Sequence, residues 1–251
     1  MIVLVHGPFH ERWFRIAKAS PKHQFIVSTW SPPPHTKLIP DNVVLIQNID
    51  PGELPLADNN KNINRFITSI KNALPLIPDD KVIFRVRSDA LLKYNIDQYE
   101  NIWHQSQHFW TECKSYKVFD HKMIIGEHYT VHPDSTLNLH FHPGDWFSIS
   151  MGSDLKKFWQ HIPLRTDVDQ PSVLRTEQYL WLHCLRHFYP NLPSLDKDVE
   201  ENNAAKEAST LALLNNFIVY GNNDIGIWVE KYPQSLIPHP EMFRKEYLKG
   251  N

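Results

Sequence analysis

The 251-residue chain is poor in glycine and cysteine, with eight glycines and two cysteines, Cys113 and Cys184. Two cysteines are too few for the disulfide framework that stabilises small secreted domains. No apolar run approaches the roughly 20 residues that a membrane-spanning helix needs. Eight Trp, nine Tyr and thirteen Phe argue against a disordered chain. We therefore expect a soluble globular protein.

An excess of charge of one sign is also lacking, because 26 basic and 28 acidic residues give a net charge of −2. Such a chain has no overall field that attracts nucleic acid, so a nucleic-acid partner is not expected. The sequence contains no glycine-rich phosphate loop, no Gly-x-Ser-x-Gly elbow and no Cys-x-x-Cys. Nineteen prolines suggest long, shaped loops, and fifteen histidines leave metal binding and acid–base chemistry open.

The first ninety residues alternate between apolar runs and amphipathic segments. This alternation predicts an α/β sheet with parallel strand pairs. Ligands of such sheets bind beyond the carboxyl ends of the strands, and His6, Thr29 and Asp89 lie at three of these ends. The predicted strands are 1–5, 24–30, 42–47 and 81–87, and the predicted helices are 12–19 and 63–74.

The rest of the chain is less regular but contains three helical patterns. We predict a strand within 144–152 and helices over 154–160, 176–188 and 200–217. No linker or internal repeat separates these segments. The expected organisation is a main unit of residues 1–190 and a helical C-terminal segment, 191–251, packed on the same domain.

The strand at 81–87 carries the first group of candidate residues. Asp89 follows this strand, and a carboxylate at a strand end can hold Mg²⁺ together with phosphate oxygens. A plain turn residue is the alternative interpretation. Arg85 and Arg87 share one face of the strand, where Arg85 is expected under a helix and paired. Arg87, nearer the edge, is a candidate for bidentate phosphate binding.

Two helix starts provide further candidates. Asn64 and Arg65 lie off the apolar stripe of the helix at 63–74, in its first turn, where anions are favoured. A solvated helix face is the alternative. Glu177 lies in the first turn of the helix at 176–188. It is expected either to stabilise the helix N-terminus or to act as a general base beside a pocket.

A histidine-rich segment precedes the strand at 144–152. His140 and His142 are two residues apart, so on a strand they would share a face and could form a metal site with Asp145 or His132. A structural or substrate-contacting role is the alternative. A carboxylate beside an aromatic ring suits a sugar, which makes the neighbours Asp145 and Trp146 candidates, although a core Trp beside a turn Asp fits the same pattern.

Taken in order, these short motifs resemble the WavE lipopolysaccharide-synthesis family of bacterial surface-glycan proteins. The resemblance covers about residues 1–190. It implies a GT-A-like glycosyltransferase with a mixed, mainly parallel sheet flanked by helices. The motifs are Phe25–Trp30, Asn62–Arg65, Arg85–Asp89, Gly144–Trp146 and Glu177–Leu180.

The resemblance also implies roles for individual residues. Glu177 and Asp145 are the catalytic candidates, and Trp146 and His142 are the candidates for acceptor binding. Asp89 is the candidate ligand of a divalent cation, Mg²⁺ or Mn²⁺. The motif here is Arg-Ser-Asp, where many relatives of this fold have Asp-x-Asp, so Arg87 is an alternative source of positive charge. The donor-binding candidates are His6, Thr29, Asn64, Arg65, Arg87 and Asp89.

The predicted partners are a nucleotide-sugar donor and a glycan or lipid-linked acceptor. The expected location is the cytoplasm, with peripheral association at the inner face of the bacterial inner membrane. Two other functions remain open on the residues alone. One is a metal-dependent hydrolase that uses His140, His142 and Asp145, and the other is a glycan-binding subunit without catalytic activity.

Overall fold

The computed structural model describes residues 1–31, 39–54, 61–107, 114–127, 130–131, 133, 139–166, 174–193 and 203–229. The strands within these ranges are β1 Ile2–His6, β2 Gln24–Thr29, β3 Val43–Gln47, β4 Val82–Arg87, β5 Ala90–Leu92, β6 Met123–Gly126, β7 Phe147–Met151, β8 Phe217–Tyr220 and β9 Ile227–Val229. The helices are α1 Arg12–Ala19, α2 Ile63–Ala73, α3 Ile96–Ser106, α4 Gly152–Trp159, α5 Thr176–Phe188, α6 Asn203–Asn216 and α7 Asn222–Ile225.

The main sheet has the strand order β3-β2-β1-β4-β7-β6-β8. β1, β2, β3 and β4 pair in parallel, as do β6 and β8, whereas β7 runs antiparallel to both of its neighbours. β5 and β9 form a separate antiparallel pair. The predicted α/β class, with a mixed and mainly parallel sheet flanked by helices, is therefore confirmed.

Helices cover both faces of this sheet. β1 is buried at every position, since Ile2 and Leu4 face one core while Val3 and Val5 face the other. Burial on both faces explains why the strand is a continuous apolar run. One core packs α2, α4, α5 and α6 against the sheet, and the opposite core packs α1 and α3. No helix in the described ranges is both long and apolar enough to cross a bilayer.

The described part of the chain after residue 190 belongs to the same sheet and core. β8 pairs in parallel with β6 at the sheet edge, directly after α6. The segment therefore contributes a strand in addition to the helix expected at 200–217. Ala205, Ala208 and Ala212 of α6 are buried in the core that also contains α5.

The structure differs from the sequence at three places. The apolar residues of 116–119 favour a short strand, but they form none, and Asn216 at the end of α6 accepts hydrogen bonds from the N–H groups of Val118 and Phe119 at 2.6 and 3.1 Å. Helix α3 was not predicted, although Asn95 and Gln98 form a capping box at its start. Within 144–152 the strand begins only at Phe147, and Gly152 already starts α4.

Asn216 provides a test of how the C-terminal segment is attached. Its fully buried amide also donates to the Tyr116 carbonyl at 2.6 Å. We expect Asn216→Ala to lower the free energy of unfolding by about 3 kcal/mol, because each buried polar group left without a partner costs roughly 1–3 kcal/mol. Urea denaturation followed by tryptophan fluorescence measures the change. The exposed Asn223→Ala is the control, and equal stability of the two variants would contradict this role.

Candidate active site

The candidate site lies at the carboxyl edge of β1, β2 and β4. The strand register places His6 beside Ser28 on one side and Arg87 on the other. The chain leaves β1 through Gly7, which has φ +135° and packs so closely that a Cβ atom would lie 2.3 Å from Ser88 Oγ. Glycine is therefore required there. Ser88 N in turn donates to the His6 carbonyl at 2.8 Å, which holds the two strand ends together.

Arg87 and Asp89 form a bidentate ion pair across the turn that follows β4. Arg87 Nε donates to Asp89 Oδ1 at 3.0 Å, and Nη2 donates to Oδ2 at 2.7 Å. The guanidinium carbon lies 5.5 Å from the ring centre of Phe66 and 5.8 Å from that of Trp146. Arg87 and Asp89 retain 17% and 25% of their side-chain exposure, so the pair is accessible from the sheet edge.

Arg85 lies deeper on the same face of β4 and is 3% exposed. Its Nε donates to Ser148 Oγ at 3.0 Å, and its Nη1 donates to His6 Nε2 at 3.0 Å. His6 accepts as a neutral imidazole, since burial and the two arginines hold its pKa well below the usual value. Burial also lowers the pKa of Arg85 to about 10, and the Asp145 carboxylate opposes this shift. Arg85 is still cationic at neutral pH.

The start of α5 positions Glu177. The helix begins at Thr176, and Arg175 is its N-cap residue. Gln178 joins this turn to the histidine-rich segment, because its Nε2 donates to the His140 carbonyl at 2.8 Å. Glu177 Oε2 consequently lies 3.5 Å from His142 Nε2.

Glu177 is a carboxyl group in a poorly solvated position. Its side chain is 13% exposed. Burial, and then repulsion from Asp145, raise the pKa of Glu177 to about 8, so most Glu177 molecules are protonated at pH 7.

Glu177 and Asp145 border one cleft between the sheet and helices α4 and α5. The cleft has a volume of about 310 Å³, including the solvent space at its mouth. Arg85 and Ser148 are its other hydrogen-bonding side chains, and apolar residues of β6, α4 and α5 form the remaining walls. Asp145 is half-buried, and within the described ranges no hydrogen bond reaches its carboxylate. The two predicted catalytic residues thus share a cleft with a buried cation.

Trp146 and the two histidines differ from their predicted arrangement. Trp146 is 5% exposed and belongs to the core beneath Arg87, so its ring is not an open platform for a sugar. His140 and His142 lie in a turn rather than on a strand, because Phe141 between them has φ +57°. They do not form a metal group with Asp145 among the described residues. His132 lies outside those residues.

Three of the predicted donor-binding residues are engaged by the protein itself. Thr29 is fully buried, with Oγ1 3.1 Å from Ser31 Oγ. The Asn64 amide exchanges two hydrogen bonds with the backbone of Arg165, at 2.9 and 2.7 Å. Arg65 does lie near the edge, over the Trp30 ring, but it pairs with Asp50 and Glu53.

The described residues around Asp89 do not fit a divalent cation in this arrangement. Both Asp89 oxygens accept from Arg87, so a cation would have to displace a guanidinium. Among the described residues, the one group of three metal-ligating side chains is His23, Asp97 and Glu100. This group lies at the opposite, amino end of the sheet, since His23 precedes β2. Positive charge at the candidate site therefore comes from Arg87 and Arg85.

Arg85 was predicted to be buried but was not among the predicted site residues. The sequence feature that could have identified Arg85 as a site residue is its position as an ionisable residue inside an apolar strand, on the same face as Arg87. Phe66 was missed because it reads as part of the apolar stripe of α2, whereas its ring lies 5.5 Å from the His6 ring at the sheet edge.

The protonated Glu177 makes a prediction about stability. Its folded-state pKa of about 8 exceeds the ordinary 4.5, so its stabilising contribution is complete below pH 4.5 and is lost as the pH rises through 8. We expect the wild type to lose thermal stability relative to Glu177→Gln between pH 5 and about pH 9. Thermal unfolding across this range measures the difference. The exposed Glu207→Gln should follow the wild type, and parallel curves for wild type and Glu177→Gln would show that the group is ordinarily acidic.

Two glycosyltransferases of known structure are distantly similar to this chain. The chain is similar to the galactosyltransferase LgtC solved with donor and acceptor sugar analogues (10% identity, TM-score 0.37) and to an active-site mutant of LgtC (11%, 0.40), each covering 99% of this chain and 95% of that one. It is also similar to apo mouse xyloside xylosyltransferase 1, with 8% identity, a TM-score of 0.39 and coverage of 95% and 99%. A search of curated proteins found no match.

The family match gives the assignment, because these structural likenesses have low TM-scores. The model for WavE lipopolysaccharide synthesis matches residues 11–246. The match extends beyond residue 190, where the recognised sequence motifs end, and so includes α6 and β8. The chain belongs to the WavE lipopolysaccharide synthesis family.

Proposed function

We propose that this protein is a glycosyltransferase that moves a sugar from a nucleotide-sugar donor to a growing lipopolysaccharide or capsule glycan. The observation that carries the proposal is the cleft in which Glu177 and Asp145 face a buried arginine at the carboxyl edge of a parallel sheet. Ligands of such sheets bind at this edge. The proposal includes a cytoplasmic location at the inner face of the bacterial inner membrane.

Arg87 is proposed to bind the diphosphate of the donor. Departure of a nucleoside diphosphate leaves negative charge on the phosphate oxygens, which fixed positive charge must stabilise. Arg87 is held over Phe66 and Trp146 and remains partly exposed. A phosphate can replace the Asp89 carboxylate on the planar guanidinium group of Arg87, because both anions accept two parallel hydrogen bonds.

Asp145 is proposed as the base that removes the proton from the acceptor hydroxyl in an inverting reaction. The acceptor oxygen forms a bond to the anomeric carbon of the donor sugar, the bond to the diphosphate breaks, and the hydroxyl proton passes to Asp145. A base needs a free electron pair, and the Asp145 carboxylate accepts no hydrogen bond within the described ranges. Glu177, mostly protonated, donates a hydrogen bond to the acceptor.

The two alternative functions have less support. A hydrolase built on His140, His142 and Asp145 lacks the required metal group among the described residues. A glycan-binding subunit without catalytic activity needs no base and no diphosphate site. Binding of a nucleoside diphosphate separates this alternative from the transferase, since a lectin-like subunit would bind sugar and no nucleotide.

The roles of the two carboxyl groups predict a distinctive pH profile. kcat/KM reports on groups of the free enzyme, so it should fall as the pH rises through about 8, where Glu177 loses its proton. Glu177→Gln should remove this fall and retain activity within about tenfold, because the amide still donates a hydrogen bond. Asp145→Asn should lower kcat by roughly 10²–10⁴-fold.

Steady-state assays with the donor selected by a nucleotide-sugar binding screen measure these effects. Asp41→Asn, an exposed site before β3, is the matched control and should leave kcat unchanged. A profile that rises through pH 8, together with an inactive Glu177→Gln, would assign the base to Glu177 instead. An active Asp145→Asn would remove Asp145 from the mechanism.

Diphosphate binding by Arg87 can be measured without turnover. In the presence of a chelator, Arg87→Met should weaken nucleoside diphosphate binding at least about tenfold, because a bidentate charged contact contributes roughly 1.5–3 kcal/mol. The exposed Arg15→Met should bind as the wild type does. Calorimetry gives both constants. Wild-type binding that is abolished by the chelator would show that a cation, rather than Arg87 alone, holds the diphosphate.

A further inference from the structure

Arg85 is a buried cation whose hydrogen-bonding capacity is only partly used. An arginine carries five N–H donors, and two hydrogen bonds from Arg85 are found, one to His6 and one to Ser148. Within the described ranges Arg85 Nη2 donates no hydrogen bond, and no carboxylate lies within ion-pair distance of the guanidinium. The residue is only 3% exposed, and it borders the cleft.

Both bonded partners of Arg85 are neutral. Ser148 offers a hydroxyl, and His6 is an uncharged imidazole because its pKa is held low. The closest acidic influence is Asp145, which acts on Arg85 through space across the cleft. A buried guanidinium is normally paired with a carboxylate, since desolvating an unpaired ion costs several kcal/mol. The charge of Arg85 is thus incompletely balanced inside the folded chain.

The unbalanced charge of Arg85 lies at the border of the cleft. The guanidinium packs over the Trp159 ring at 5.5 Å, and the residue borders the cleft together with Asp145 and Glu177. A planar fork held against an aromatic ring is preorganised for bidentate contact with an oxyanion. The cleft is open at its mouth, and Arg85 lies in its wall rather than on the protein surface.

We propose that Arg85 binds an oxyanion, a carboxylate or a phosphate, on the acceptor sugar, so that this transferase selects an acidic acceptor. The inference rests on the proposed function in placing the acceptor in the cleft. The acceptor anion lies on Arg85, and the hydroxyl to be glycosylated lies beside Asp145 at the mouth. Glu177 is mostly neutral at pH 7, so Asp145 is the main negative charge that the anion meets there.

The test compares two ligands that differ only in the charged group. Methyl glucuronide and methyl glucoside are titrated into the full-length protein, with inorganic phosphate as a third ligand, and binding is followed by calorimetry. Titrations are repeated in the presence of a nucleoside diphosphate. The wild type should bind the glucuronide at least tenfold more tightly than the glucoside. In Arg85→Met this preference should fall to less than twofold.

Matched variants separate recognition from folding. Arg186→Met, an exposed arginine near the end of α5, should keep the full preference. Arg85→Lys keeps a positive charge but not the planar guanidinium group, so it should retain part of the preference for the glucuronide. It replaces Arg85→Met in the comparison if that variant does not fold. Thermal unfolding of each variant establishes that the compared proteins are folded.

Several outcomes would overturn the inference. Equal binding of the two glycosides by the wild type, no saturable binding of the glucuronide, or an undiminished preference in a folded Arg85→Met would each do so. If the nucleoside diphosphate competes with the glucuronide and phosphate binding depends on Arg85, then the anion belongs to the donor. Glucuronide selectivity without any nucleotide binding would instead support the Arg85 site and contradict the transferase.

Discussion

The parallel pairing of β1 with β4 is the constraint on which the site depends. It places His6 next to Arg87 and, two residues deeper on the same face of β4, gives Arg85 a neutral imidazole as its hydrogen-bond partner. Gly7 has no side chain, so Ser88 can approach it closely. The hydrogen bond from Ser88 N to the His6 carbonyl then holds the turn that carries Asp89. Because β7 runs antiparallel, its first residues arrive at the same edge and bring Asp145 with them. Groups from three separate parts of the chain meet there.

Burial gives the ionisable groups of the cleft different charges. Glu177 becomes mostly neutral and His6 stays neutral, whereas Arg85 remains charged with a pKa of about 10. Glu177 is enclosed at the start of α5 and, as a mostly protonated acid, can donate a hydrogen bond. Asp145 lies half-exposed at the mouth of the cleft.

Much of the fold could be predicted from the sequence, because apolar periodicity reports directly on burial. α1, α5 and the first four strands lie close to their predicted ranges. The site was harder to predict, because a residue type does not say which partner a side chain will find. Asn64 and Glu177 both lie in first helical turns, yet Asn64 is bonded to the backbone of Arg165 and Glu177 borders the cleft. His140 and His142 were misplaced because a left-handed Phe141 has no sequence signature.

The two arginines of β4 show how one strand can serve two functions. Residues two apart on a strand share a face, so Arg85 and Arg87 point to the same side at different depths. Arg87, at the edge, already holds a carboxylate that a phosphate can displace. Arg85 is covered by α4 and α5, and its two bonded partners are uncharged. An anion that reaches Arg85 therefore replaces no internal ion pair, and its binding energy is not reduced by the loss of one. This difference favours specificity at Arg85 and exchangeable phosphate binding at Arg87.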